Sequence, residues 1–202
     1  DVDTSVNISY NFGTLSGTIV EGYAGEVHNG WIIPESFYNE MTDSSSKKGT
    51  MSAVSYRNGV MTGTETCSFT VKVDSDECAP DITVEIADTN SATTAITKDY
   101  QAFIRGYSNA SVTVTATGKN GASIASYIIN NGGRTATTAR ATFNGVTSES
   151  FVVTVTDSRG VSATKSVLVN MIDYTKVTCV VAATPPNTDG ETTITVSGKY
   201  FN

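Results

Sequence analysis

Apolar and polar residues alternate along most of the chain with the period of two that is typical of half-buried β-strands. In the first third, the alternation predicts strands at residues 6–12, 16–21, 50–56, 60–64 and 66–73. Beyond that point it predicts a strand opening at Ile82 and further strands near residues 111–117, 123–129, 137–143, 150–156 and 162–170. The pattern therefore predicts an all-β protein.

Turn signals separate these runs. The Asn-Gly dipeptides that start at positions 29, 58, 120 and 144 favour tight turns in which both central residues have positive φ. The sequence Asp157-Ser158-Arg159-Gly160 predicts a turn that joins the last two of these strands as a hairpin. Residues 34–41 predict a helical turn, because Pro34 suits a first helical position and an acidic residue follows it.

The domain organisation follows from one acidic stretch. Residues 74–81 are poor in apolar side chains and contain a proline, which is typical of a linker between β modules. Six or seven short strands in about 90 residues are typical of an immunoglobulin-like sandwich. We therefore predict tandem immunoglobulin-like β-sandwich modules at residues 1–79 and 80–173. Two more strand patterns predict the start of a third β module at residues 174–202, because two strands cannot bury a sandwich core.

Composition narrows the classes of function. The 202 residues carry a formal net charge of -7, and only two of them are leucines, Leu15 and Leu168. The acidic balance argues against sequence-independent nucleic-acid binding, which depends on Lys and Arg. No apolar run approaches the roughly 20 residues of a membrane span. We expect neither nucleic acid nor a membrane span among the partners.

Three cysteines are present, Cys67, Cys78 and Cys179, and their spacing suits neither a disulfide-dense scaffold nor a zinc site. Cys67 lies on the apolar face of its predicted strand, which predicts a buried free thiol. A bridge between Cys67 and Cys78 is the competing interpretation.

The sequence contains few residues in patterns typical of catalytic or metal sites. The single histidine, His28, adjoins an Asn-Gly signal and has no identifiable partner for a catalytic triad, so we interpret it as an ordinary loop residue. The acidic residues of the 74–81 stretch lack the spacing of a calcium loop, which favours a solvated linker, with inter-domain calcium as the alternative. We predict no catalytic residues, no metal ligands and no cofactor.

Aromatic side chains are the best candidates for ligand contact, because their rings can stack on sugar faces or fill a protein interface. Trp31 and Tyr38 flank the predicted helical turn, and Tyr107 precedes an inner strand of the second module. We propose these three as ligand-contact residues. The alternative is that they close the open ends of their sandwiches.

Seven ordered segments carry a resemblance to a known family. They are YNFGTLSGTI at 10–19, WIIPESFY at 31–38, GTETCSFT at 63–70, DTNS at 88–91, YSNA at 107–110, VTDSRG at 155–160 and VSGKYFN at 196–202. The set resembles minor structural tail proteins of long-tailed bacteriophages, the siphophages, of Gram-positive bacteria. The resemblance implies a virion component at the tail tip or baseplate with immunoglobulin-like modules, and it brings no catalytic residues.

The expected function is therefore non-enzymatic: a tail tip or baseplate component that acts as an adhesion or spacer module in host cell-wall attachment. The expected partners are other tail or baseplate proteins and host cell-wall polysaccharide, with several copies per virion. Two alternatives stay open. One is a stalk segment of an adhesin on the bacterial cell surface, and the other is an accessory carbohydrate-binding module of a wall-active enzyme.

Overall fold

The computed structural model describes residues 3–25, 30–174, 180–183, 190 and 194–197, and most of its regular structure is antiparallel strand. The all-β prediction is confirmed. The chain divides into two compact units, and each consists of several stretches of sequence. Unit 1 comprises Asp1–Thr83, Thr115–Ile128 and Thr154–Lys165, and unit 2 comprises Val84–Val114, Ile129–Val153 and Ser166–Asn202. The module boundaries after residues 79 and 173 stay predictions.

Four strands near the N-terminus form one antiparallel sheet in the order β2-β1-β3-β4. They are β1 (Thr4–Phe12), β2 (Leu15–Tyr23), β3 (Ser46–Arg57) and β4 (Val60–Lys72). The prediction of separate strands at 60–64 and 66–73 is wrong, because Glu65 pairs in register with Ala53 and β4 runs on without a break. One sheet is not a sandwich, so the immunoglobulin-like form predicted for this stretch is not confirmed.

The turn between β3 and β4 follows the local prediction. Asn58 and Gly59 have φ values of 51° and 75°, which is the conformation that a two-residue hairpin of this twist requires. Arg57 pairs with Val60 on either side of the turn. Here the dipeptide alone determines the local structure.

A 3-10 helix at Glu35–Glu40 covers one end of this sheet and confirms the predicted helical turn. Phe37 from this helix stacks on Phe12 with ring centroids 4.3 Å apart, and both side chains are fully buried. Gly49 of β3 pairs with Phe69 of β4, and a Cβ at Gly49 would come within 2.4 Å of the Phe69 ring. The missing side chain lets Phe69 lie across the strand and join the aromatic core.

Cys67 is exposed, so the prediction of a buried thiol there is wrong. Phe69 and Val71, on the same face of β4, pack in or against the aromatic core. Cys67 lies one step farther along the strand, where the apolar face continues beyond the elements that cover it. Cys78 is the buried thiol, and both cysteines are free, so the alternative bridge between them is absent.

The acidic stretch after β4 contains a short helix, and its acidic side chains are exposed. Helix α1 (Ser75–Cys78) begins at Asp74, whose carboxylate accepts hydrogen bonds from the backbone N–H groups of Asp76 at 2.8 Å and Glu77 at 3.1 Å. These bonds satisfy donors that a helix start leaves unpaired. The stretch therefore contains a short helix that ends on a fully buried Cys78, and its part as a linker between modules stays a prediction.

Nine further strands complete the two units. They are β5 (Asp81–Asp88), β6 (Ala102–Ile104), β7 (Ala110–Thr117), β8 (Ile124–Asn131), β9 (Arg134–Ala136), β10 (Arg140–Phe143), β11 (Ser150–Asp157), β12 (Ser162–Leu168) and β13 (Asn170–Ile172). They form sheets in the orders β10-β7-β5 and β12-β11-β8-β9, and β13 pairs in parallel with β6. Phe143 of β10 meets Phe151 of β11 edge to face, with ring centroids 5.8 Å apart, in the core of unit 2.

Three features of this region differ from the sequence prediction. Of the strand predicted at 137–143, only residues 140–143 are strand, as β10, and β9 ends before it at Ala136. The strand predicted at 162–170 ends at Leu168. Helix α2 (Ser91–Thr97) was not predicted, although Asn90 accepts a hydrogen bond from the Ala92 N–H at 3.0 Å as its N-cap.

Strands β14 (Val180–Ala183) and β15 (Ile194–Ser197) pair as an antiparallel hairpin. They overlap the two strand patterns found near the C-terminal end of the sequence. Cys179 and most of the other residues of the predicted third module lie outside the described residues.

A buried ion pair forms the predicted turn between β11 and β12. Arg159 Nη2 lies 2.7 Å from Asp157 Oδ2, and both side chains are fully buried. Asp157 Oδ1 accepts the backbone N–H groups of Arg159 and Val161, each at 2.9 Å, and Arg159 Nη2 donates to the carbonyl of Cys78 at 2.9 Å. The pair therefore fixes the turn and also holds the end of α1.

We predict that Arg159→Met destabilises the fold by about 3–5 kcal/mol, because Asp157 would stay buried without its counter-charge. The measurement is urea unfolding followed by circular dichroism. Lys119→Met is the matched control, since Lys119 pairs with Asp81 at 3.8 Å on the surface and its loss is expected to cost about 1 kcal/mol or less. If both substitutions lower the free energy of unfolding by the same amount, the buried ion pair does not stabilise the fold as proposed.

Candidate binding surfaces

Trp31, the first predicted contact residue, is packed against the aromatic core of unit 1. Its ring centroid lies 5.4 Å from that of Tyr10, 6.1 Å from that of Phe37 and 5.9 Å from that of Phe69. The side chain is only partly exposed. The indole therefore contributes to the core of unit 1, and only part of its surface is open to an external contact.

Tyr38 lines a groove of about 330 Å³ at the C-terminal end of β4, which we call the Tyr38 groove. Ile32 and Pro34 form one wall, and residues 70–72 form another. Burial raises the pKa of the Tyr38 phenol above its ordinary value of 10.0, and the negative charge of Glu77 raises this pKa further. The phenol therefore stays protonated at neutral pH.

Tyr107, in unit 2, is the most open of the three predicted residues, with 43% of its surface exposed. Its ring meets Tyr174 edge to face, with centroids 5.2 Å apart. The Tyr107 carbonyl accepts a hydrogen bond from Asn90 Nδ2 at 2.8 Å. The exposed ring is thus anchored through its backbone, which favours a rigid contact surface.

The Tyr107 loop rests on a buried carboxylate. Asp88 Oδ1 accepts the backbone N–H groups of Asn90 and Asn109, each at 3.0 Å. Asp88 Oδ2 accepts the hydroxyls of Thr93 at 2.5 Å and Ser108 at 2.6 Å. Burial alone would raise the pKa of Asp88, but these hydrogen bonds outweigh burial and hold the pKa below its ordinary value.

Unit 2 also holds a groove of about 590 Å³ that no sequence signal indicated. Residues 84–87 of β5 form one wall and residues 167–170 form the other. Both β5 and β12 are terminal strands in their sheets. Leu168 is 71% exposed beside this groove. A groove between two strand edges is suited to an extended peptide.

The described residues contain no group of three or more His, Cys, Asp and Glu side chains that could hold a metal ion. Within the same part of the chain, no helix is long and apolar enough to cross a membrane. His28 lies outside the described residues.

Sequence reasoning found the exposed Tyr107 but missed the residues that position it. The signal for α2 was present, because Asn90 precedes a run of residues compatible with a helix and Asn is a favoured N-cap. The role of Asp88 had no local signal, since its partner Ser108 is 20 positions away. The three predicted residues also fall in different units, with Trp31 and Tyr38 in unit 1 and Tyr107 in unit 2.

Comparison with known proteins adds one match. A family model described as "Siphovirus protein of unknown function (DUF859)" matches residues 3–197. No curated protein matches the chain significantly.

We predict that Asp88→Asn lowers the free energy of unfolding at pH 7 by about 1–3 kcal/mol, because an amide cannot accept all four hydrogen bonds. The folded-state pKa of Asp88 lies below its ordinary value of 3.8. Its contribution is therefore complete above that value and is lost as the pH falls through the folded-state pKa. Urea unfolding at pH 7 and at progressively lower pH should show the gap between wild type and variant closing.

Asp81→Asn is the matched control, because the Asp81 side chain is 77% exposed. It should leave the stability at pH 7 nearly unchanged. If the difference in free energy of unfolding between the wild type and Asp88→Asn stays the same at low pH, the stabilising role assigned to the ionised carboxylate is contradicted.

Proposed function

We propose that this chain, which belongs to that siphovirus family, is a non-enzymatic structural component of the phage tail tip or baseplate. Family membership supports a phage protein with a structural, virion-associated role. The tail location and the part in host attachment are our proposal. In it the chain acts as an adhesion or spacer module in contact with the host cell wall.

The observation that supports the proposal is that the buried charged side chains hold turns and loops in place. Asp88, Asp157 and Arg159 are the charged residues buried in the described part of the chain. Each of them bonds backbone groups or side chains that hold turns and loops in place. Such groups fix the shape of a module and are not free to act on a substrate. We propose a passive, shape-defined role and assign the chain no catalytic step.

The aromatic surfaces separate the adhesion and spacer roles. Trp31 and Tyr38 pack against the core of unit 1, which favours a spacer role for that unit. The exposed and anchored Tyr107 favours a contact role for unit 2, in which a sugar ring would stack on the phenol. Weak contacts of this kind become effective when several copies engage one surface together.

Strands β5 to β12 also support the immunoglobulin-like part of the proposal. Sheets of three and four strands have the strand count of a constant-type immunoglobulin domain. The buried residues Val112, Ile129 and Val153 come from both sheets. We propose that this region is an immunoglobulin-like module. The stretch before it is a single-sheet module.

We predict that the protein is present in purified virions at several copies per particle, measured by quantitative mass spectrometry against the major tail protein. Antibody against the chain should label one end of the tail in electron micrographs. Absence from purified particles would overturn the proposed location.

We predict that the purified chain is retained on purified host cell wall and that Tyr107→Ala lowers retention at least tenfold, because the exposed ring is removed. Tyr100→Ala is the matched control, since Tyr100 is 66% exposed in the same unit. Thermal unfolding of each variant checks that the fold is intact. If the Tyr107→Ala variant is retained as strongly as the wild type, Tyr107 does not contact the wall. If neither the wild type nor the variants are retained, the spacer role is favoured.

A further inference from the structure

The N-terminal sheet has two edge strands, β2 and β4, and they differ in how they are protected. The pairing of β2 with β1 has two register shifts, so this edge is irregular. β4 is 13 residues long, pairs without interruption from Gly63 to Lys72 and contains no proline. Its charged residues are Glu65 and Lys72. Proteins normally block such an edge with charges, prolines or bulges.

The outward backbone groups of β4 can be assigned from one hydrogen bond. The Val73 N–H donates to the Ser45 carbonyl at 2.9 Å, on the side where β3 lies. Alternate residues of an antiparallel strand bond in opposite directions. Thr64, Thr66 and Ser68 therefore direct their N–H and C=O groups away from β3, and in the described part of the chain no strand pairs with that side.

Exposed apolar side chains lie at the two ends of the same strand. Val60 is 68% and Met61 61% exposed at its start. Ile32 is 85% and Ile33 44% exposed beside the Tyr38 groove at its other end. These four are the exposed large hydrophobic residues described within residues 1–83. An antiparallel copy of β4 would bring the start of one strand to the end of the other.

We propose that two copies of this chain associate edge to edge through antiparallel β4 strands, with the two-fold axis at Cys67. The paired strands would join two four-stranded sheets into one of eight. Each Val60–Met61 tip would cover the exposed Ile32 and Ile33 of the other copy. The interface is isologous, so one surface serves both copies.

The like charge of Glu65 disfavours the registers whose axis lies at Glu65 or Thr66. With the axis at Cys67, Glu65 lies opposite Phe69 of the second copy, and the two carboxylates are about 14 Å apart. With the axis at Thr66, they would be diagonal neighbours at about 7–8 Å. With the axis at Glu65, they would face each other directly, which is destabilising. The Cys67 register separates the acids and still pairs most of the strand.

The Cys67 register has a chemical consequence. Outward hydrogen bonds come from the even-numbered residues, so the two Cys67 residues form a non-hydrogen-bonded pair with Cα atoms about 4.5 Å apart. This distance lies within the range of a disulfide. Oxygen with a copper–phenanthroline catalyst would take two electrons and two protons from the two thiols and form one S–S bond. The exposed native cysteine therefore reports the register, and the buried Cys78 is an internal control.

The experiment is sedimentation velocity of the purified 202-residue chain in the presence of reductant. An edge-to-edge strand pair buries less area than a standard interface, so we expect weak association and use protein concentrations between about 1 and 200 µM. We expect the mass to rise from 21.2 kDa toward twice that value with concentration. Thr66→Pro removes an outward N–H that β3 does not use and should weaken association at least tenfold. Thr66→Val keeps this N–H and should associate like wild type.

After oxidation, peptide mapping of the wild type should find a bond between two Cys67 residues, and this measurement needs no substitution. Cys67→Ser should abolish the cross-link and leave association in reductant intact. A constant mass of 21.2 kDa, or equal association of Thr66→Pro and Thr66→Val, would overturn the proposal. A dimer without the Cys67 cross-link would overturn the register. None of these outcomes depends on the place of the chain in the virion.

Discussion

The turn at residues 157–161 is the constraint on which unit 1 depends. Unit 1 consists of three separate stretches of chain, and this turn bonds to the other two. Ser158 Oγ donates to the carbonyl of Thr42 and accepts the backbone N–H of Ser123 at 3.1 Å, while Arg159 Nη2 donates to the carbonyl of Cys78. The turn can make these bonds only in one conformation, and the buried pair of Asp157 and Arg159 fixes that conformation.

Buried polar groups also fix the conformation of turns and loops in unit 2. Asp88 bonds the start of α2 and the loop that carries Tyr107, and Asn131 Nδ2 donates to the carbonyls of Ser148 and Ser150 at 2.9 and 3.0 Å. With two leucines in 202 residues, the apolar core is built mainly from valine, isoleucine and phenylalanine. Such a core is compatible with several loop conformations. Buried hydrogen bonds select one of them, because an alternative conformation would leave a buried polar group unpaired.

What the sequence could predict was local. Alternation located most strands, and Asn58-Gly59 and Asp157-Ser158-Arg159-Gly160 located their turns, because each signal acts over a few residues. The burial of Cys67 was wrong because alternation identifies a face and not the length over which the face is covered. The bond from Arg159 to Cys78 joins residues 81 positions apart, and no local pattern reports such a partner. For the candidate surfaces, composition pointed to the aromatic residues, but only the packing distinguishes Tyr107 from Trp31.

The β4 edge combines low charge with available main-chain hydrogen bonds, and this combination bears on how copies of the chain associate. A net charge of -7 keeps separate copies apart in dilute solution, since like charges repel over about a Debye length. The β4 edge has few charges, so repulsion is weakest where main-chain hydrogen bonds are available. A contact of this kind is weak at low concentration and becomes significant where copies are held close together. A multi-copy virion component would provide such closeness, so an edge strand with few charges in an otherwise acidic chain is compatible with both solubility and assembly.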